Sequence, residues 1–142
     1  MRLSAPQALA RLAASDHGYL STVDPQRGVN TVPVVYVIDD TGHVGIPVDR
    51  VKPKAPGRLA RERNLETDPR AVLLADHWDR DDWSALWWVK AELRREPDDQ
   101  DRAAALNALL AGRYPQYRRE QTIARVLQLR IVRVTGWAAS SA

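Results

Sequence analysis

Apolar and polar residues alternate along much of the chain in the way that half-buried β-strands require. Six such runs, rich in β-branched residues, cover residues 19–23, 31–38, 43–48, 71–76, 86–93 and 124–137. Turn residues at 24–28 and 39–42 connect the first three runs into a meander. Because strands and helices do not alternate regularly, the pattern predicts a six-stranded antiparallel barrel.

The last of these runs changes phase part of the way along. Leu127, Leu129 and Ile131 lie on one side of an ideal strand, whereas Val132 and Val134 continue the apolar side on the other. Such a change is typical of a β-bulge, which barrels use to turn a strand around a corner. A bulge or a sharp coil of the strand near Ile131 and Val132 is therefore predicted.

A few segments have helical rather than strand-like patterns. Ser4 and Gln7 have the spacing of a capping box, in which each side chain satisfies a backbone amide of the other residue. The predicted helices cover residues 5–14, about 56 to 68, and about 99 to 111, with Gly112 as the stop of the last one. The predicted fold class is thus mainly β with peripheral helices.

The composition fits one domain spanning residues 1–142, which is long enough to bury a single core. The chain has no cysteine, so disulfides, thiolate metal sites and thiol nucleophiles are excluded. Its start lacks a signal-peptide pattern, and no apolar run approaches the roughly 20 residues of a membrane span. We therefore expect a cytoplasmic protein with no membrane partner.

Positive charge is concentrated in one segment rather than spread over the chain. There are 21 basic and 18 acidic side chains, a balance too even for a dedicated polyanion binder. Lys52 and Lys54 nevertheless flank a proline between a predicted strand and a predicted helix, and Arg58 and Arg61 follow. This basic segment indicates an anionic ligand, which from the residues alone could be nucleic acid, a membrane headgroup or a cofactor phosphate.

Familiar catalytic motifs are missing from the sequence. It contains no glycine-rich dinucleotide motif, phosphate-binding loop, nucleophile elbow or zinc-protease motif. His77 lies near Asp76 and Asp79, but a solvated acidic loop explains these residues better than a metal site does. We therefore predict no metal and assign no catalytic side chain.

Tryptophans are clustered near the fifth predicted strand, where Trp83, Trp87 and Trp88 lie within six positions. Neighbouring strand residues point to opposite faces, so only one of Trp87 and Trp88 can line a barrel interior. The other, near Lys90, would face solvent, a planar anionic ligand or a partner chain.

Taken in order, these segments make the chain resemble the split-barrel flavin-binding proteins of the pyridoxamine 5'-phosphate oxidase-like class. More narrowly, the chain resembles the branch of that class that uses the deazaflavin coenzyme F420. The likeness covers nearly the whole chain and depends on four stretches together: Lys52-Pro-Lys54, Asn64–Pro69, Asp82–Lys90 and Gly136-Trp137.

The resemblance implies a cofactor site and a homodimer. The strand pair at residues 30–35 and 45–49 would support the flavin-type ring, and Lys54, with Lys52 beside it, would contact the phosphate. In dimers of this class the strand corresponding to residues 87–90 closes the pocket of the other subunit. The implied cofactor-binding residues are Pro33, Val34, Pro47, Val48, Asp49, Lys52, Lys54, Arg58, Trp87, Trp88 and Lys90.

The function that the resemblance implies is an F420-dependent oxidoreductase that transfers a hydride to or from a small planar organic substrate. Hydride transfer needs positioning more than a nucleophile, and solvent or a tyrosine such as Tyr36 could supply a proton. The longer anionic tail of the deazaflavin would use Arg58 and Arg61, which favours F420 over the main alternative, an FMN-dependent enzyme of the same class. A small barrel that binds single-stranded nucleic acid is a further alternative, but the even charge balance leads us to expect no nucleic-acid partner.

Overall fold

The described part of the chain contains seven strands, which form one antiparallel sheet with helices around it. The computed structural model describes residues 1–49, 58–120 and 123–140, without the side chain of residue 120. The elements are α1 (Ala5–Ala14), β1 (Gly18–Asp24), β2 (Gly28–Val34), β3 (Val37–Ile38), β4 (His43–Asp49), α2 (Ala60–Thr67), β5 (Arg70–His77), β6 (Trp87–Arg95), α3 (Gln100–Arg113), α4 (Pro115–Glu120) and β7 (Ile123–Ala138). The strand order is β2-β1-β5-β6-β7-β4-β3. Among the described residues, no helix has the length and apolar character needed to cross a membrane.

The prediction of six strands is wrong by one, because the predicted strand at residues 31–38 is divided. Its first part belongs to β2, which pairs with β1, and its last two residues form β3, which pairs with β4 at the opposite edge of the sheet. Between them Tyr36 turns inward, and its hydroxyl donates a hydrogen bond to the Leu12 carbonyl at 2.6 Å. The two edge strands are thus joined by only two residues, which requires a strongly curled sheet. The described residues show no ladder between β2 and β3, so the barrel is split rather than closed.

The predicted bulge in the last strand is confirmed. Glu92 of β6 pairs with Arg133 of β7, whereas the next residue, Leu93, pairs with Ile131. Val132 is the extra residue and is 51% exposed. Contrary to the expected pattern, Val132 therefore leaves the core, and Val134 resumes the contacts with it.

The main core lies on the concave side of the sheet and is covered at one end by Ala8 and Leu12 of α1. A second, smaller core lies on the other side of β4, where Leu106 and Leu110 of α3 pack against the sheet. Gly45 permits this close approach, because a Cβ atom there would lie 2.9 Å from the Cβ of Leu106. The helix α3 therefore covers the outer side of β4 and of the first half of β7.

The helix predictions are confirmed in part. Helix α1 has the predicted bounds and a complete capping box between Ser4 and Gln7. The predicted stop at Gly112 is wrong, because α3 continues to Arg113, whose guanidinium donates to the Ala14 and Ser15 carbonyls at the end of α1. The predicted start of the second helix at residues 56–57 lies outside the described residues, and α4 was not predicted.

Candidate functional site

One group of the predicted cofactor-binding residues, Pro47, Val48 and Asp49, lies at the end of β4. Pro47 and Val48 pair with Val126 and Arg125 of β7, and the register then shifts so that Asp49 pairs with Ile123. Val48 is buried in the main core, whereas Asp49 is exposed. The backbone of β4 thus reaches the surface just before the basic segment.

Pro33 and Val34, at the end of β2, belong to the same region of the fold. Both pair with the start of β1, and Pro33 is exposed while Val34 is buried. Val34 precedes Val37 by three residues, a distance of at most about 11 Å, and Val37 pairs with Gly45 of β4. Chain connectivity therefore keeps the end of β2 near β4, as the prediction requires.

A second group of predicted cofactor-binding residues, Trp87, Trp88 and Lys90, lies on β6. Both β6 and β4 pair with β7, but these residues and the end of β4 pair with distant parts of it. Trp88 pairs with Trp137 and Lys90 with Thr135, whereas Val48 pairs with Arg125. Thr135 and Arg125 are separated by up to about 33 Å of extended strand. A single chain therefore does not bring Lys90 and the end of β4 together by strand pairing.

Trp87 and Trp88 point to opposite faces of the sheet, as predicted. Trp87 packs against the main core, stacks with His77 at a centroid distance of 6.3 Å, and has the Arg11 guanidinium 5.4 Å from its ring centroid. Trp88 lies on the outer face, where the Lys90 ammonium is 5.6 Å from its ring centroid. Of the two indoles, only Trp88 is therefore available to a ligand or partner on the outer face.

A shallow cleft of about 430 Å³ surrounds Trp88 on this face. Its lining combines two indoles with three cations and one carboxylate; the main residues are Arg2, Trp88, Lys90, Glu92, Arg133 and Trp137. The Arg133 Nε lies 3.8 Å from the Glu92 carboxylate. The cleft therefore combines aromatic surface with an excess of positive charge, which suits a planar anionic group.

Lys52 and Lys54 lie outside the described residues, so their assignment to a phosphate stays a prediction. Arg58, the first described residue after them, forms an ion pair with Glu66. The Arg58 side chain is more than half exposed, so solvent screens this pair. Its charge is partly compensated within the chain, which makes Arg58 a weaker candidate than the sequence suggested.

Arg61 has the stronger position, although from the sequence we expected it only to add positive charge. Its Nε atom is buried and has no hydrogen-bond partner in the described part of the chain. Burial lowers the pKa of Arg61, and the neighbouring carboxylates of Glu62 and Asp49 oppose that shift. Arg61 lies one helical turn before the buried Leu65, a spacing that could have revealed its inward direction from the sequence.

Glu62 is the most buried acid near this site and is fixed by two groups. The Arg125 Nε and Nη2 donate to its two carboxylate oxygens at 2.7 Å each, and the Leu59 N–H donates at 3.0 Å. Burial favours a higher pKa, but the hydrogen bonds from Arg125 and Leu59 outweigh it and hold the pKa of Glu62 below its usual value. Because Arg125 also pairs with Val48 through its backbone, this contact attaches the start of α2 to the end of β4.

Tyr117 of α4 completes the polar group around Asp49. Burial raises the pKa of Tyr117, and the Asp49 carboxylate raises it further. The phenol therefore stays neutral at physiological pH and can donate a hydrogen bond in this region. No pattern in the sequence pointed to Tyr117, because the short helix α4 that carries it was not predicted.

Tyr36, in contrast, is not suited to supply a proton. Its side chain is 1% exposed, and its hydroxyl is occupied by the Leu12 carbonyl. Burial raises the pKa of Tyr36 to about 12. The described residues also contain no group of three or more histidines and acids that could hold a metal ion.

Solved structures of several other proteins have the same fold at low sequence identity. A FAD-binding protein from Mesorhizobium loti is 17% identical with a TM-score of 0.64, over 96% of this chain and 93% of that one. A candidate pyridoxamine 5'-phosphate oxidase from Corynebacterium glutamicum is 17% identical with a TM-score of 0.57, over 96% and 94%. A heme-binding protein from Mycobacterium smegmatis is 20% identical with a TM-score of 0.70, over 98% of this chain and 60% of that one.

Neither a protein-family model nor a curated protein matches the chain. Because these identities lie under 25%, the likeness establishes the fold alone. The chain therefore has a split-barrel fold similar to that of proteins described as binding flavin or heme.

Proposed function

We propose that the protein is an oxidoreductase that binds a flavin-type cofactor, F420 in preference to FMN, and acts on a small planar organic substrate. The observation that carries this proposal is the end of β4 in a split barrel. There, the exposed Asp49 precedes the basic segment that contains Lys52 and Lys54, and the buried Nε of Arg61 has no hydrogen-bond partner among the described residues.

The residues near β4 fit a phosphate-bearing group. An N–H donor that is buried without a partner costs about 1–3 kcal/mol, and an anion at this place would satisfy Arg61. Glu62 does not oppose an anion strongly, because its charge is already bound by Arg125. Asp49 is the nearby carboxylate that an anion would have to displace or avoid.

In this proposal each part of the chain has a distinct role. Lys54, with Lys52 beside it, binds the phosphate, and Arg61 and Arg58 bind the remaining anionic part. The backbones of Pro33–Val34 and Pro47–Asp49 support the ring, and Trp88 and Lys90 of a second copy close the pocket. Trp87 holds β6 in place from the core side.

The cofactor supplies two-electron hydride chemistry when it is bound. The chain contributes binding, orientation and the exclusion of water from the reacting face. Tyr36 is buried with its hydroxyl bound to the Leu12 carbonyl, and burial together with the Asp49 carboxylate raises the pKa of Tyr117, so we assign the proton to solvent.

A binding experiment tests the proposal. Purified protein is titrated with F420, FMN, heme and a single-stranded oligonucleotide at two salt concentrations, and binding is followed by absorbance and fluorescence. We expect stoichiometric F420 binding, and acceptor-dependent oxidation of the reduced cofactor. Tight FMN binding without F420 affinity would reverse the choice of cofactor, whereas binding of heme or of the oligonucleotide alone would refute the proposal.

Substitution of Lys54 tests the site itself. Lys54→Ala removes a charge-assisted contact, so we expect F420 affinity to fall by about 1–3 kcal/mol with unchanged thermal stability. Lys52→Ala is expected to have a smaller effect, because the neighbouring lysine partly substitutes for it. Arg27→Ala, which removes an exposed cation from the β1–β2 turn, is the matched control and should leave affinity unchanged.

A further inference from the structure

One aromatic and two apolar side chains lie side by side on the outer face of the sheet, near the end of β2. Tyr19 of β1 pairs with Pro33 of β2 on one side and with Leu74 of β5 on the other. Because directly paired residues of an antiparallel sheet point to the same face, these side chains are neighbours about 5 Å apart. All three are exposed, whereas Gly18 and Leu20, on either side of Tyr19, are buried.

Contacts on both sides of Tyr19 along β1 support this arrangement of the outer side chains. Ser21 and Thr31, the next outward pair of the same two strands, have their hydroxyl oxygens 2.9 Å apart. In the other direction, the exposed ring of His17 contacts the phenol of Tyr19 in a T-shaped arrangement, with 6.0 Å between the ring centroids. A continuous surface, which we call the outer platform, is thus formed by His17, Tyr19, Pro33 and Leu74.

The outer platform lies beside one of the two places that support the ring of the cofactor in the proposed function. Pro33 belongs to the platform and is also one of the backbone positions assigned to that ring. From Pro33 across Tyr19 to Leu74 the platform spans two strand spacings, about 10 Å, which suits a flat system of fused rings. Lys90 pairs with Leu74 and adds a cation beyond the platform. Flat apolar surface is therefore available next to the end of β2.

Tyr19 also differs from the other three tyrosines of the chain in being available to a ligand. Tyr36 and Tyr114 donate their hydroxyls to backbone carbonyls, and Tyr117 interacts with the Asp49 carboxylate. Tyr19 is 40% exposed, and its hydroxyl has no hydrogen-bond partner within residues 1–49, 58–120 and 123–140. Its side chain therefore offers a ring face and a hydrogen-bond donor together.

We propose that Tyr19 binds the flat ring of the cofactor: its phenol packs against the ring beside Pro33, and its hydroxyl donates a hydrogen bond to an acceptor at the ring edge. The contact combines apolar area, aromatic packing and one hydrogen bond. His17, whose ring contacts the phenol, holds Tyr19 in position. Tyr19 is thus a binding residue, and the proton of the reaction still comes from solvent. This inference deepens the proposed function and rests on it.

Two substitutions of Tyr19 test this contact, since Tyr19→Ala removes the whole phenol and Tyr19→Phe removes only its hydroxyl. Both variants and the wild type are titrated with F420 and, separately, with FMN, without a substrate, and binding is followed by absorbance and fluorescence. We expect the dissociation constant to rise about 30-fold for Tyr19→Ala and about 3-fold for Tyr19→Phe, because phenylalanine keeps the ring contact. The absorption band of the bound cofactor should move toward that of the free cofactor in Tyr19→Ala and stay close to that of the wild-type complex in Tyr19→Phe.

Titration with the deazaflavin chromophore of F420 without its phosphate and tail separates the ring contact from the phosphate contact. Tyr19→Ala should weaken binding of this probe by the same factor as it weakens binding of F420, whereas Lys54→Ala should weaken binding of F420 alone. Val29→Ala is the matched control and should bind both ligands as the wild type does. Val29 is an outward residue of β2 that is 73% exposed, and it lies four positions, about 13 Å, from Pro33. Thermal unfolding establishes that every variant folds.

Three other results would overturn the assignment of Tyr19. Equal cofactor affinity of Tyr19→Ala and wild type would refute it and leave the proposed function intact, whereas a wild type that binds neither F420 nor FMN would refute both. Normal cofactor affinity with a raised KM for the acceptor would assign Tyr19 to the substrate instead. Affinity that Tyr19→Ala loses only on dissociation into monomers, measured by sedimentation velocity, and regains at higher protein concentration would assign Tyr19 to a subunit interface.

Discussion

Removal of Arg125 is expected to destabilise the fold through the acid that it leaves behind. Glu62 is only 6% exposed, and Arg125 supplies two of the three hydrogen bonds that its carboxylate accepts. Breaking a buried ion pair by deleting one partner costs about 3–5 kcal/mol. The Arg125 side chain is itself 47% exposed and solvent reaches it, so we expect a loss of about 2–3 kcal/mol for Arg125→Ala.

Arg130→Ala is the matched control for this substitution. Arg130 lies on the same strand, is 49% exposed, and contacts the more exposed Glu96 through its Nε at 3.1 Å. An exposed pair of this kind contributes about 0–1 kcal/mol. Urea unfolding followed by tryptophan fluorescence measures both variants, and a difference of 2 kcal/mol corresponds to roughly 6–10 °C in Tm for a chain of this length.

The dependence of this loss on pH follows from the lowered pKa of Glu62. A carboxyl whose folded pKa lies below its unfolded value stabilises the fold above the unfolded pKa, about 4.3, and loses that contribution as the pH falls through the folded value. The difference between wild type and Arg125→Ala should therefore be full at pH 7 and should shrink as the pH falls below about 4. Equal losses for Arg125→Ala and Arg130→Ala, or a loss that does not change between pH 7 and pH 3.5, would refute the reasoning.

Three further predictions concern the scaffold around the site. Tyr36→Phe leaves the buried Leu12 carbonyl without its donor and should lower the free energy of unfolding by about 1–2 kcal/mol. Burial raises the pKa of Tyr36 to about 12, so the stabilising effect of the phenol is present below about pH 10 and is lost as the pH rises toward 12. Alkaline ultraviolet titration of wild type and variant can measure this dependence. Gly45→Ala places a Cβ atom 2.9 Å from the Leu106 Cβ and should lower the free energy of unfolding by about 1–3 kcal/mol, and a Tm equal to that of the wild type would contradict this close packing. Ser4→Ala removes the N-cap acceptor of α1 and should cost about 1 kcal/mol in urea unfolding, with Ser140→Ala, in an exposed bend, as the control without effect.

The sequence predicts most of this sheet because alternation reports directly which residues a strand buries. The strands around Leu73, Val89 and Leu129 were all located in this way, and their residues form the main core. The bulge at Val132 was also visible, since inserting one residue reverses the alternation. The family resemblance added the split barrel, which alternation alone could not distinguish from other antiparallel barrels.

The division of one predicted strand into β2 and β3 could not be seen in the same way. The run from residue 31 to residue 38 is continuously rich in β-branched residues and has no glycine or unusual turn signal at Val35 and Tyr36. The strand is divided at a tertiary contact, in which the Tyr36 hydroxyl donates a hydrogen bond to the Leu12 carbonyl near the end of α1. Propensity describes the local backbone, and it does not report which edge of a sheet a strand will join.

The polar contacts near β4 were hidden for a related reason. Arg125 and Glu62 are 63 positions apart in the sequence, and nothing in either neighbourhood indicates that one neutralises the other. Arg58 and Arg61 look equivalent in the sequence, yet Arg58 forms an ion pair with Glu66, whereas the buried Nε of Arg61 has no partner in residues 1–49, 58–120 and 123–140. The difference between Arg58 and Arg61 depends on which side of α2 faces β4. The spacing of four positions between Arg61 and the buried Leu65 indicates that side but does not determine the contacts.

The hydrogen bonds and ion pairs that already exist around Arg61 determine where an added negative charge would be stabilised. Glu62 is bound to Arg125 and to the Leu59 amide, so it can neither neutralise Arg61 fully nor move away from it without breaking both contacts. Asp49 is exposed and interacts with the neutral phenol of Tyr117. Solvent therefore screens the Asp49 carboxylate more than it screens the buried part of Arg61. An anion that approaches the end of β4 therefore meets Arg61 of α2, whose positive charge the neighbouring described carboxylates compensate only in part. For this reason Arg61, rather than Arg58, is the described residue that we expect to contact the anionic part of the proposed cofactor.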